Sequence, residues 1–145
     1  MNPNLQGRGS DFLQGEWQED SVLYQDKLLE YTKHRFKFTC DSFYAHLETH
    51  AKVNRHADSC FNGGYIKEYA KGRYVVNNDT LYLIGTFTKS NFKQKISGCY
   101  RIGQYIPSFL LKSQEGKIIQ LQNLQNNTSV TLKLKQRTIC NPKPL

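Results

Sequence analysis

Along much of this chain apolar residues recur at every second position, and that spacing constrains the fold more than any other feature. A helix repeats its buried face every 3.6 residues, whereas a strand changes sides at each residue. In Val130-Thr131-Leu132-Lys133-Leu134-Lys135 the Val and Leu side chains share one face, and Thr and Lys the other. In Arg35-Phe36-Lys37-Phe38-Thr39-Cys40 the Phe pair and Cys40 share a face. Thr80-Leu81-Tyr82-Leu83-Ile84-Gly85-Thr86-Phe87 is rich in strand formers on both faces. Turn residues punctuate the pattern. Asn77-Asn78-Asp79 precedes the 80–87 segment, and Gln114-Glu115-Gly116-Lys117 separates Phe109-Leu110-Leu111 from Ile118-Ile119-Gln120-Leu121. Asn126-Asn127 precedes the last strand, and Asn62-Gly63-Gly64 breaks the chain after Cys60. The one helix candidate, Asp26 to Tyr31, amounts to a single turn.

This rhythm predicts about nine short strands, the mark of a sandwich or a barrel. The 145 residues fit one domain that buries its own core. Consecutive hairpins favour up-and-down order, because strands adjacent in sequence are usually adjacent in space. Closure of such a meander removes its exposed edges. A barrel of about eight strands is wide enough for packed side chains or one small ligand. The expectation is an all-β chain forming a single up-and-down antiparallel barrel over residues 12–140. Residues 1–11 are expected as a flexible amino-terminal segment and 141–145 as a tail.

The chain carries 20 basic and 12 acidic residues, a formal charge of +8. The cations are dispersed at alternate positions, as in Lys33, Arg35 and Lys37, Lys71 and Arg73, or Lys133 and Lys135. Such spacing reads as a solvated outer face rather than a functional patch. No apolar run reaches the ~18 residues that cross a membrane as a helix. The polar start Met1-Asn2-Pro3-Asn4-Leu5-Gln6-Gly7-Arg8-Gly9-Ser10 is what remains when an export signal has been removed, and it also suits an intracellular chain.

Cysteine favours export. Cys40, Cys60, Cys99 and Cys140 are even in number and widely spaced, with no Cys-x-x-Cys pair for a zinc or iron–sulfur site. Two disulfides in an oxidising compartment is the reading they favour over four buried thiols. Four cysteines permit three pairings; Cys40–Cys60 with Cys99–Cys140 is the expected one.

Several local groupings suggest chemistry. On a strand His46, Glu48 and His50 share a face at successive steps of about 7 Å, two imidazoles and a carboxylate that suit a transition metal. The outer spacing is too wide for one ion, and Phe43, Ala45, Leu47 and Ala51 alternate with them as the core face, so no metal is expected. His56 and Asp58 beside Ser59 offer an acid–base pair, but no nucleophile motif accompanies them. Gly98-Cys99-Tyr100-Arg101-Ile102-Gly103-Gln104-Tyr105 reads as a strand. There an inward Arg101 would hold an acidic head group, although an outward, solvated Arg101 is the expected placement. Tyr65, Tyr69, Tyr74, Tyr82, Tyr100 and Tyr105 interleave with Lys67, Lys71, Arg73 and Arg101, a mixture that suits single-stranded nucleic acid. Without an RNA-binding signature, and with oxidised cysteines, no nucleic-acid partner is expected. Asn78-Asp79-Thr80 and Asn126-Asn127-Thr128 match the N-glycosylation pattern, and both overlap turn signals.

Gly15-Glu16-Trp17 resembles the Gly-x-Trp signature of lipocalins, in which the Trp closes the barrel floor and stacks with an Arg from the last strand. Arg137, at the end of Lys133-Leu134-Lys135-Gln136-Arg137, stands at the matching place. The family's middle motif, a turn with Thr-Asp-Tyr, has no counterpart here, so the resemblance implies a lipocalin-like barrel. The whole chain also resembles small exported lipoproteins of Bacteroidetes-type bacteria. The likeness lies in the Asn-Pro-Asn-Leu-Gln-Gly-Arg-Gly-Ser start, Gly-x-Trp, the cysteine pattern and the Cys-Asn-Pro-Lys-Pro end at 140–144. Some of these carry the label fumarate hydratase. The residues here do not support that label: the Gly-Ser-Ser-x-Met-Pro-x-Lys-x-Asn loop is absent, and the one Met is Met1. The resemblance implies a periplasmic or outer-membrane setting, with membrane contact only through a removed amino-terminal lipid anchor.

The expected function is an exported binding module for a small apolar or amphipathic ligand or a partner protein, with no cofactor. Phe36, Phe38, Leu81, Leu83, Phe87, Phe109 and Leu132 are expected to line it, with Arg101 as the polar contact. A barrel filled by those same side chains, serving structure or interaction, is the alternative. An enzyme with an unidentified acid–base group is the third reading.

Overall fold

The computed structural model describes residues 7–52 and 64–142. Among the described residues the strands are β1 (Gly15–Gln18), β2 (Glu30–Thr39), β3 (Ser42–Ala51), β4 (Tyr65–Asn77), β5 (Thr80–Thr88), β6 (Gln104–Tyr105), β7 (Ser108–Glu115), β8 (Ile118–Asn123) and β9 (Ser129–Arg137). Each strand pairs antiparallel with its neighbours, β9 returns to β1, and β4 pairs with β5, so eight strands close into a ring. The short β6 is the extra strand. It pairs with Gly85 and Thr86 on the edge of β5 that β7 uses at Thr80–Tyr82. The chain is an all-β, up-and-down, lipocalin-like barrel.

The turns follow local chemistry. Asn77 pairs with Thr80 around Asn78 at φ 57°, and Glu115 pairs with Ile118 around Gly116 at φ 58°. A two-residue hairpin needs positive φ at its first turn residue, which Asn and Gly adopt at low cost. The helical turn expected at Asp26–Tyr31 is a 3-10 turn at Gln25–Lys27, after which the chain enters β2 at Glu30. The strand expected over Gly98–Tyr105 is reduced to Gln104–Tyr105. Gly98, Tyr100 and Gly103 have φ of 116°, 68° and 99°, and no strand continues through such residues.

Alternation places the core. Phe36, Phe38, Phe43, Phe109, Leu83 and Leu132 are fully buried inside the ring. Gly72 and Gly85 face each other across β4 and β5, and a Cβ on Gly85 would lie 2.7 Å from the Phe43 ring. Phe43 occupies space that any larger residue would take.

One end of the barrel is sealed. Trp17 is fully buried, and its Nε1 donates to the Leu13 carbonyl at 2.8 Å. The Arg137 guanidinium lies 5.7 Å from the Trp17 ring centroid, and its Nη1 donates to the Phe12 carbonyl at 2.9 Å. Gln14 Nε2 donates to the Cys40 carbonyl at 2.9 Å, while Gln14 Oε1 accepts from the Cys40 amide at 2.7 Å. Tyr74 Oη donates to the same carbonyl at 2.6 Å and accepts from the Ser10 amide at 3.0 Å. Residues 7–11, expected as part of a loose segment, take part in this seal. At Gly9 (φ 69°) a Cβ would come within 1.8 Å of the Cys40 carbonyl oxygen.

The expected disulfide pairing is corrected here. Cys40 is bonded to Cys140, with their Cα atoms 4.8 Å apart. Barrel closure explains it: Gly15 of β1 pairs with Phe38 on one side and Arg137 on the other. The exit of β9 is therefore brought beside the β2–β3 turn that holds Cys40. Cys99 is also disulfide-bonded. Cys60, like His56, Asp58 and Ser59, lies outside the described residues.

Candidate functional site

The end opposite Trp17 is open. A cavity of about 530 Å³ enters there, bordered by Leu47, Phe87 and Val130 below and by Thr32, His34, Arg101 and Gln104 nearer the rim. It exists because the inward faces change character along the strands. On β2 the inward series Phe38, Phe36, His34, Thr32 runs from packed aromatic to polar. On β3 the series Phe43, Ala45, Leu47, Thr49 does the same.

The rim polar groups are paired. Arg101 comes from the loop between β5 and β6 and reaches Glu68, an inward residue of β4 whose side chain is 6% exposed. Its Nη2 donates to Oε1 at 2.7 Å and its Nε to Oε2 at 3.0 Å, a fork on a carboxylate. The guanidinium carbon sits 4.6 Å from the Phe87 ring centroid. The hydrogen bonds to Glu68 raise the Arg101 pKa above its ordinary value, so it stays charged. Arg101 thus lies over the mouth with its side chain still 58% exposed, solvated as expected yet paired to an inward carboxylate. It sits on a loop rather than on a strand, so strand alternation does not govern its direction.

A second pair lies deeper. Glu19, just after β1, is nearly fully buried, and its Oε1 accepts from His34 Nδ1 at 2.9 Å and from the His34 amide at 3.0 Å. The His34 ring stacks on Phe36 and meets Phe109 edge-on. Thr32 and Thr49 share a hydroxyl hydrogen bond of 2.8 Å beside it. Tyr105 is buried under Arg101, and burial raises its phenol pKa well above the usual range, so the hydroxyl stays neutral. Such a cavity offers an apolar floor, a neutral aromatic wall and a charged clasp at the rim. That suits a small molecule with an apolar body and a polar end.

Of the residues expected to line a ligand site, Phe87 and Arg101 border this cavity. Phe36, Phe38, Leu81, Leu83, Phe109 and Leu132 lie in the packed half of the barrel, each no more than 3% exposed. Glu19, His34 and Glu68 were not singled out from the sequence. The available signal was the alternation itself, which puts His34 on the same face as Phe36 and Phe38.

The other candidates fall elsewhere. His46, Glu48 and His50 face outward, each beside a different set of partners. His46 lies between Arg35 and Tyr69, Glu48 between Lys33 and Lys67, and His50 stacks on Tyr31. Tyr74 and Tyr105 turn inward, away from the exposed Lys67, Lys71 and Arg73.

Comparison with protein-family models, curated proteins and solved structures finds no match to this chain. The functional reading therefore rests on the site.

Proposed function

We propose that the barrel is an exported binding module that holds one small amphipathic ligand in its mouth. The observation that supports this is the division of the interior: one half is filled by aromatic and aliphatic side chains, while the other leaves about 530 Å³ beneath the Glu68–Arg101 clasp. That volume lies within the range of small-molecule sites, ~300–1,000 Å³. The ligand's apolar body would rest on Leu47, Phe87 and Val130, and its polar end would meet Arg101, His34 or Thr32. In this reading the protein binds its ligand without transforming it.

The exported setting belongs to the same proposal. Disulfides form and persist in oxidising compartments, and the Cys40–Cys140 bond accords with one. A periplasmic or cell-surface position, with the lipid anchor of the lipoproteins the sequence resembles, fits that chemistry.

The packed half of the barrel also favours a second reading, a structural barrel whose mouth admits only water. A native mass spectrum of unreduced protein purified from its exporting host separates the two. An adduct of a few hundred daltons at one per chain, released on denaturation, supports the carrier. A bare polypeptide mass favours the structural barrel.

A further inference from the structure

The cations that are dispersed in sequence converge on one side of the barrel. Lys33, Arg35 and Lys37 of β2 and Lys67, Lys71 and Arg73 of β4 all project outward, because their inward neighbours form the core. Lys133 and Lys135 of β9 extend the same face, since β9, β1, β2, β3 and β4 are consecutive around the ring. The outer face of β5, β7 and β8 is mostly neutral, with exposed Tyr82, Ile84 and Ile118. A one-sided field of this kind draws and orients an anionic partner.

The basic face has a built feature. A groove of about 440 Å³ runs over β1, β2 and β3, with Arg35, Lys37 and Lys135 along it and Tyr44, His46 and Phe92 beside it. Phe92, at φ 61° in the turn after β5, is carried back over β3 and β4. Its ring centroid lies 5.1 Å from that of Tyr44 and 5.3 Å from that of His46. Among the described residues Arg35 and Lys37 form no ion pair, while Asp20 holds Lys135 at 3.1 Å. Glu16, opposite Lys37 in the register, offsets one of the three cations.

We infer that this groove is a second binding site, separate from the mouth, for an acidic polysaccharide. The sugar ring would lie against Phe92 and Tyr44, with its carboxylate or sulfate on Arg35 and Lys37. Charge complementarity selects an anion, and the aromatic wall selects a partner with ring faces to cover it. The wall's rings meet edge to face, at interplanar angles of 71° and 86°, and do not form the parallel platform on which successive bases stack. On the exported setting proposed above, on which this choice of polyanion rests, glycans rather than nucleic acids are the polyanions within reach.

The test is calorimetric titration of the intact protein with oligogalacturonate and with a heparin oligosaccharide, against oligothymidylate of equal charge. Both glycans are expected to bind, and oligothymidylate about tenfold more weakly or worse. The Arg35→Gln/Lys37→Gln variant should lose about tenfold or more in affinity for the glycans, about 1.4 kcal/mol per decade. Phe92→Ala should lose severalfold, and Lys112→Gln on the neutral side nothing. All four proteins are to be matched by thermal midpoint, so that misfolding is not read as lost binding. Absence of glycan binding overturns the inference. An equal loss on Lys112→Gln overturns it in favour of diffuse charge, and oligothymidylate binding as tight as the glycans overturns it in favour of nucleic acid.

Discussion

Arg101 lies over the barrel mouth with the Glu68 carboxylate in its guanidinium fork at 2.7 and 3.0 Å and the Phe87 ring beneath it at 4.6 Å. This clasp joins a loop to the inner wall. Arg101→Leu would leave a nearly buried carboxylate without its partner and should cost about 1–3 kcal/mol in urea unfolding. The Glu68→Leu/Arg101→Leu double variant should recover most of that, because removing both partners strands no charge. Additive losses in the cycle would show that the pair is not coupled.

Trp17 and Arg137 seal the other end. Truncating a fully buried aromatic removes its packing and leaves a cavity, so Trp17→Ala should destabilise by about 3–5 kcal/mol. Arg137→Ala should cost about 0.5–2 kcal/mol, through the lost cation–π contact. A loss under about 1 kcal/mol for Trp17→Ala in chemical unfolding would contradict its role as the plug.

The Cys40–Cys140 bond ties residues 100 apart in sequence. A non-reducing proteolytic map should join the peptide holding Cys40 to that holding Cys140. Cys40→Ala/Cys140→Ala should lose about 2–5 kcal/mol, as removal of a native disulfide does in small exported domains.

His46 gives the fold a pH dependence. Burial, helped by the Arg35 charge, holds its pKa below 6.5. The unfolded chain therefore takes up a proton near pH 6.5 that the folded chain refuses, so stability falls as pH drops through that value towards the lower folded one. His46→Gln should flatten the urea midpoint across that window. An unchanged slope in the variant would assign the effect to other groups.

The sequence shows most clearly those parts of the fold where a single face is buried. β9 is legible from Val130-Thr131-Leu132-Lys133, and the β4–β5 and β7–β8 turns from Asn78 and Gly116, because one residue type satisfies one local demand. Trp17 and Arg137 were legible as a resemblance, and their contact at 5.7 Å agrees with it. The Cys40–Cys140 pairing was not legible, since it follows from the closing of β1 on β9, a contact between chain ends. The clasp was hidden for a related reason. Arg101 reaches Glu68 from a loop whose direction Gly98, Tyr100 and Gly103 set by positive φ, outside any strand period. His34 was hidden only by its neighbours, because a polar residue in an apolar series reads as an exception until the cavity beside it is seen.

The most direct test of the central reading is a calorimetric titration of the purified barrel with 1-anilinonaphthalene-8-sulfonate, an amphipathic anion of suitable size, beside Leu47→Trp. Leu47 borders the mouth cavity, and an indole in its place would fill that space. One probe per chain is predicted at the mouth when the basic groove is silenced by Arg35→Gln/Lys37→Gln, with that binding lost when Leu47→Trp is added in a variant of unchanged fold. No saturable binding, or equal binding by both proteins, would contradict a ligand site in the mouth.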